Sequence, residues 1–359
     1  MVYGNTFIVS NGEYTKYLGK MRLVQTENKR WKNQEYKLIP MDDSIKADPK
    51  MEKTIERYAS LINEYTQMFG FKSRDEILTY NPYVWPSQKH MENHYEDHPF
   101  AQLITDSYRY AVNEALGFTP DIGVEAIGVI RSVLPPGEVS VSDVYQCLSL
   151  GVGEDGISGY PLGIAYLTGK ELQNLAEVDA SVSKIMMGAQ LYTSGLEYTI
   201  NPSRLILNRV TNVQIIKPDG TKEKVEKDKL YSVVSGLYDL QMLGAVKEQS
   251  FGLLSIVPKD KNGNPIEEDK DIIIHTSEGK EIKQWYALAD FLQRFESVPA
   301  TYEKAPVHKI ILDSKNIIEL VKEPNKIGYI VDSIVVVIFV LLIGTGVLIV
   351  SRIKKRKGK

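Results

Sequence analysis

DIGVEAIGVIRSVLPPGEVSVSDVYQCLSL (residues 121–150) is the stretch on which the reading of the fold turns. Its first part is apolar without helical spacing and is punctuated by Pro135, Pro136 and Gly137, so it reads as strands joined by a turn. Its last part, SVSDVYQCLSL, reads as a helix. Just upstream, FAQLITDSYRYAVNEALG (100–117) has helical spacing, with Gly117 as a stop. Downstream, helices and strands keep alternating. LTGKELQNLAEVDASVS (167–183) and EIKQWYALADFLQRF (281–295) look helical, whereas YPLGIAYL (160–167), AQLYTSGLEYTI (189–200), VTNVQIIKP (210–218) and KLYSVVSG (229–236) look like strands. Asp219-Gly220 supplies a hairpin turn. This alternation defines an α+β, or mixed α/β, domain over residues 98–326. At its end come a strand-like VHKIILDS (307–314) and a short helical NIIELVKEP (316–324).

Outward from this domain the pattern changes. Thr6–Ser10, Tyr17–Thr26 and Glu35–Pro40 read as short strands, too few to close a core alone, so residues 1–47 look like the end of a larger sheet. Residues 48–97 form a connector. Asp48 caps a helix with Pro49 in its first turn, and Met51, Ile55, Tyr58, Ile62, Tyr65 and Phe69 mark one narrow apolar face for packing, with Gly70 as the end. Lys72–Asp97 reads as an irregular surface segment. Within it His90, His94 and His98 are spaced four apart, as ligands on one helix face would be, but Pro99 follows at once and no HExxH occurs; a solvated linker is the preferred reading. Cys147, the single cysteine, excludes an internal disulfide and reads as a small core residue.

The formal charge of −3 conceals a partition, because six of the eight residues 352–359 are basic and none is acidic; without those six charges the rest carries −9. An acidic body argues against a nucleic-acid partner. Before the basic tip, Ile334–Val350 is seventeen residues without charge, and 327–351 is read as a single transmembrane helix. The basic tip places the C-terminus in the cytoplasm and the body outside it, at the cell membrane. The opening MVYGNTFIVSNGEYTKYLGK has no signal-peptide pattern. Either the body is cytosolic and tail-anchored, or the chain is the C-terminal part of a longer exported protein.

LITDSYRYA (103–111), GVIRSVLPPGEVSVSDVYQCLSL (128–150), AYLTGKELQNLAE (165–177), AQLYTSGLEYTI (189–200) and KLYSVVSGLY (229–238) resemble, in order and spacing, the C-terminal domain of the 5'-nucleotidase family. NTFIVSNGEYTKYLGKMRL (5–23) resembles the last strands of that family's metallophosphoesterase domain. The resemblance implies a hydrolase of nucleotides or other phosphate esters, active in nucleotide catabolism at the cell surface. Its two divalent metal ions belong to a preceding domain, whose GNHE and GHxH motifs this chain lacks; the chain itself is expected to hold no cofactor, metal or catalytic residue. An alternative is a non-catalytic surface module that binds a ligand with the same fold.

The resemblance also assigns substrate contacts. Arg131 matches the Arg of the family's NGGGIR block, and a guanidinium meets phosphate oxygens bidentately. The rest of the block departs from the pattern, reading Ala126, Ile127, Gly128, Val129, Ile130. Leu150 stands where the family has a base-stacking Phe, and Phe251 is the candidate for the second stacking position. Asp106 matches a family Asp and is read as structural.

Overall fold

The computed structural model describes residues 2–4, 6–12, 15–249, 252 and 254–357. The chain divides into two units, Met1–Tyr65 and Thr66–Lys359. In the first, β1 (Val2–Tyr3) pairs with β2 (Thr6–Phe7), and β3 (Tyr17–Gln25) with β4 (Trp31–Pro40), both antiparallel. The helix α1 (Pro49–Gln67) begins as expected: Asp48 Oδ1 accepts from the backbone N–H groups of Lys50 (2.8 Å) and Met51 (3.2 Å). Of its apolar face, Met51, Ile55, Tyr58 and Ile62 are exposed, whereas Tyr65 and, just past the helix, Phe69 are half-buried, with the Phe69 ring 4.8 Å from that of Trp285.

The second unit starts with a strand that the sequence conceals. Ile77–Asn81 (β5) lies in the segment read as irregular because its inward side chains include Thr79 and Asn81, which break any apolar alternation. Thr79 Oγ1 donates to Phe295 O and Asn81 Nδ2 to Pro135 O, so the polar side chains are satisfied by tertiary partners. The histidines do not share a helix face. His90 pairs with Glu96 (3.1 Å) beside a 3₁₀ turn, Gln88–Glu92, while His98 caps α2 (Pro99–Leu116). His98 Nδ1 accepts from Phe100 N and Nε2 contacts Pro86 O; burial pushes the ring down to about 4, so it caps as a neutral imidazole.

Then follow β6 (Ile122–Ala126), β7 (Gly137–Ser140), α3 (Val141–Cys147), β8 (Leu162–Thr168) and α4 (Gly169–Glu177). Ser140–Asp143 and Thr168–Glu171 form reciprocal capping boxes that start α3 and α4. Cys147 is fully buried, donates Sγ–H to Asp143 O, and its thiol is pushed up to about 12 by burial, as befits a core residue. After α4 the chain makes a π-helical turn, Val178–Val182.

The expected strand 189–200 is in fact two, β9 (Leu191–Ser194) and β10 (Leu196–Ile200). They are separated by Gly195 at φ +79°, and they belong to different sheets. The remaining elements are β11 (Val210–Ile216), β12 (Lys222–Lys224), β13 (Leu230–Gly236), α5 (Leu237–Gln249), α6 (Gln284–Leu292), β14 (Lys309–Ile311), α7 (Ile317–Val321) and α8 (Lys326–Lys357). One sheet has the order β8-β13-β6-β9, with β13 and β6 parallel; the other has β12-β11-β10-β14, with β10 and β14 parallel. β6 is buried along its whole length, as a central strand covered on both faces must be. A core running from Ile122 and Val233 through Leu172 and Leu175 to Tyr198 and Ile215 joins the two sheets through α4.

The run assigned to a membrane span lies in α8. Among the described residues no helix is long and apolar enough to cross a membrane. The side chains of residues 339, 342, 344 and 346–357 lie outside the described set.

Candidate functional site

The strand directions gather four loops at one edge of the first sheet. β6 and β13 run parallel and end together; β8 and β9 are antiparallel to them and therefore begin at the same edge, with Leu162 opposite Gly236 and Leu191 opposite Ala126. Loops at the carboxyl ends of parallel strands are open to ligands because their backbone groups are not consumed by pairing. The loop after β6 carries Arg131, the loop before β8 carries Leu150, and the loop before β9 carries Gly188.

Arg131 is exposed on its loop, and its backbone N–H donates to Cys147 O at 2.8 Å, tying the loop to the end of α3. It takes part in no ion pair formed among the described residues. Leu150 is half-buried, and its carbonyl accepts from Tyr160 N at 2.8 Å. Phe251 lies outside the described residues. The structure thus brings Arg131 and Leu150 to one edge.

It adds an aromatic pair that the sequence reading missed. Tyr160 and Tyr238 are stacked with centroids 5.3 Å apart and planes at 24°. Tyr160 lies flat against Gly151: at φ +84°, a Cβ there would sit 2.2 Å from the Tyr160 ring. Only glycine permits both that backbone and that approach. The signal available in the sequence was the Gly-rich run between Leu150 and Tyr160, which marks a close approach without naming the partner.

Beneath this edge is a buried carboxyl pair, also missed. Glu125 Oε2 accepts from Tyr108 Oη (2.5 Å) and Gln284 Nε2 (2.6 Å), and its carboxyl is hydrogen-bonded to that of Asp239. Ala126 N donates to both acids. Burial, and then the neighbouring Asp239 charge, push Glu125 well above the usual carboxyl range; burial raises Asp239 as well. Two such groups cannot both ionise in a dry site, so they share a proton. Glu125 is the one charged residue in the apolar run 122–130, a signal readable in the sequence, whereas its partner is 114 residues away.

A stability consequence follows. A raised folded-state value contributes stability below the ordinary carboxyl range that is lost as pH rises toward that raised value. In Glu125→Gln the amide N–H donates to Asp239 as the Glu125 proton does. The variant should therefore flatten the decline in melting temperature that sets in as pH rises above the ordinary carboxyl range. Equal slopes for wild type and variant would show that no such proton is held.

Among the described residues no group of three His, Cys, Asp or Glu side chains could hold a metal ion. The edge offers an anion the guanidinium of Arg131 and a planar group the exposed ring of Tyr238.

A mixed α/β domain presenting loops at the carboxyl end of paired parallel strands is the class so defined. Residues 81–245 match the model of the 5'-nucleotidase C-terminal domain family. The trifunctional nucleotide phosphoesterase protein YfkN of Bacillus subtilis is 22% identical over 237 residues, covering 64% of this chain and 15% of that protein. A crystal structure of a 5'-nucleotidase precursor from Thermus thermophilus shares the fold, with a TM-score of 0.58 at 18% identity over 85% of this chain and 52% of that one. The chain thus spans about half the length of that solved structure and a small part of the curated relative.

Proposed function

We propose that this chain is the substrate-holding part of a 5'-nucleotidase-like metallophosphohydrolase whose metal centre lies on a domain outside these residues. The observation that carries the reading is that the loops bearing Arg131, Leu150, Tyr160 and Tyr238 lie at one sheet edge, within the residues matched by the family model. The chemistry follows from those groups. The guanidinium of Arg131 holds phosphate oxygens through paired charge-assisted hydrogen bonds. The outer face of Tyr238 offers a stacking platform in place of a Phe at 150, worth about 1–3 kcal/mol for a planar base. Together they fix the ester so that its phosphorus is presented to the partner domain, and such positioning lowers the barrier by removing orientational freedom in advance. In the family the metal pair activates the attacking water.

The test is hydrolysis of AMP and of p-nitrophenyl phosphate with Zn²⁺ or Mn²⁺. The chain alone should give none, and the chain joined to a metallophosphoesterase domain should turn over. Arg131→Ala should lower kcat/KM of the joined enzyme by roughly 10- to 100-fold, the value of a hydrogen bond to a charged group. Robust hydrolysis by the chain alone overturns the proposal. The loss of Asn and Gly from the 126–131 block favours a second reading, a ligand-binding module without catalysis; a joined protein that binds AMP with unchanged Arg131 dependence yet never turns over would select it.

The same reading makes residues 327–351 a membrane anchor, with the body outside the cell and 352–359 in the cytoplasm. It rests on the seventeen uncharged residues and the basic tip. Protection of the tip from external protease in intact cells supports it, and cleavage there would exclude it.

A further inference from the structure

Between the sheet β8-β13-β6-β9 and helices α4 and α5 lies a cavity of about 420 Å³, within the range of small-molecule sites. Val124 and Val233 form its floor, and Leu175, Val178, Leu240 and Leu243 its walls. Of its polar side chains, Ser235 and Asp239 are already engaged by protein, Ser235 Oγ donating to Val124 O (2.9 Å) and Asp239 being bound by Ala126 N and Glu125, while the remaining one, Tyr238, is exposed to solvent. A sugar or a base edge placed here would leave its own polar atoms without partners, whereas an alkyl chain has none to satisfy. The interior therefore selects hydrocarbon.

The mouth is also apolar. Ile185, at 80% exposure, and the exposed Met186, Ile206 and Met242 all line the cavity and face solvent, a patch that marks an interaction site. Ile206 and Leu207 belong to the loop that holds the root of α8. Asn325 N donates to Asn208 Oδ1 (2.9 Å), Asn325 Nδ2 donates to Leu207 O, and Ile327 is buried in the same core as Leu175 and Val233. The opening thus sits beside the point where the apolar helix leaves the domain.

We infer that this cavity binds the alkyl chain of a single-chain membrane lipid, taken up through the Ile185–Met186–Ile206–Met242 mouth. The inference rests on the membrane-anchored reading of α8, which supplies the lipid at that opening. Each methylene withdrawn from water raises affinity roughly fourfold, so an alkyl chain needs no polar contact to be held.

The experiment uses the full chain in phosphatidylcholine nanodiscs doped with a lysophosphatidylcholine that carries a diazirine at the end of its chain. After irradiation, adducts are mapped by peptide mass spectrometry. Adducts are expected on α4 and the π turn (171–189) and on 234–246, in addition to α8. Leu175→Trp, which fills the cavity, should cut the adducts on 234–246 about tenfold while leaving those on α8 unchanged; if that variant does not fold, the wild-type map decides by itself. Labelling confined to 326–357 overturns the cavity site and leaves the anchor standing. Labelling of neither region overturns both.

Discussion

Gly195→Ala is expected to remove on the order of 4 kcal/mol of stability, visible as a fall of roughly 10 °C in melting temperature. Two costs add. The backbone at φ +79° is disfavoured for any residue with a Cβ, and a Cβ there would lie 2.1 Å from the carbonyl oxygen of Asp121. That carbonyl cannot move away freely, because Asp121 enters β6 and its carboxylate accepts from Ser232 N (2.8 Å). Gly220→Ala is the control: φ is +82°, and nothing lies within 4 Å of a Cβ there. It should cost only about 1 kcal/mol, the backbone part alone. If urea denaturation shows Gly195→Ala no worse than Gly220→Ala, the close approach to Asp121 is not real. The position matters because the chain passes there from one sheet to the other, and β9 on its near side borders the ligand edge.

Lys309→Met should cost about 3–5 kcal/mol, because it strands a buried carboxylate. Lys309 and Asp179 are closed from solvent and meet at 3.1 Å. Every other oxygen contact of the pair is also satisfied. Asp179 accepts from Leu191 N and Tyr198 Oη (2.8 Å each), and Lys309 Nζ donates to Leu191 O at 2.7 Å. One carboxylate in the π turn thus ties the start of β9 and the middle of β10 to β14. The double variant Asp179→Asn/Lys309→Met removes both charges and keeps a side-chain acceptor for Leu191 N. It should be less destabilised than the sum of the two single variants by at least about 2 kcal/mol in a denaturant cycle. Additive losses would mean that the two groups act independently.

Much of the domain was legible before any coordinates. α1 and α2 have the ends that Asp48 and Gly117 mark, since a cap acts within one turn of its own residue, and α3 and α4 lie inside the runs 140–150 and 167–183 read as helical. The turn at Asp219-Gly220 is local in the same way: Asp219 Oδ1 accepts from Thr221 N two residues on. β5 was not legible because its polar side chains are paid for by Phe295 and Pro135, far along the chain. The apolar face of α1 was legible as a face, but from Met51 to Ile62 it is exposed in the structure, because spacing says which residues could pack and nothing about what they would pack on.

The candidate site divides along the same line. Arg131 and Leu150 were found through a resemblance in sequence, and the sheet topology brings their loops to one edge. Tyr160, Tyr238, Glu125 and Asp239 required the fold, since each acts through a partner brought near by parallel pairing of β6 with β13 or antiparallel pairing of β8 with β13. The sequence by itself determined the order of helices and strands and the charge partition at the C-terminus, because these depend on periodicity, caps and composition over short spans. Only the tertiary structure decided that one apparent strand serves two sheets, that a lone glutamate in an apolar run is hydrogen-bonded to an aspartate 114 residues later, and that an apolar cavity opens beside the root of α8. These depend on distances across the fold, and a distance between residues far apart in the chain is set by packing, to which local pattern is blind.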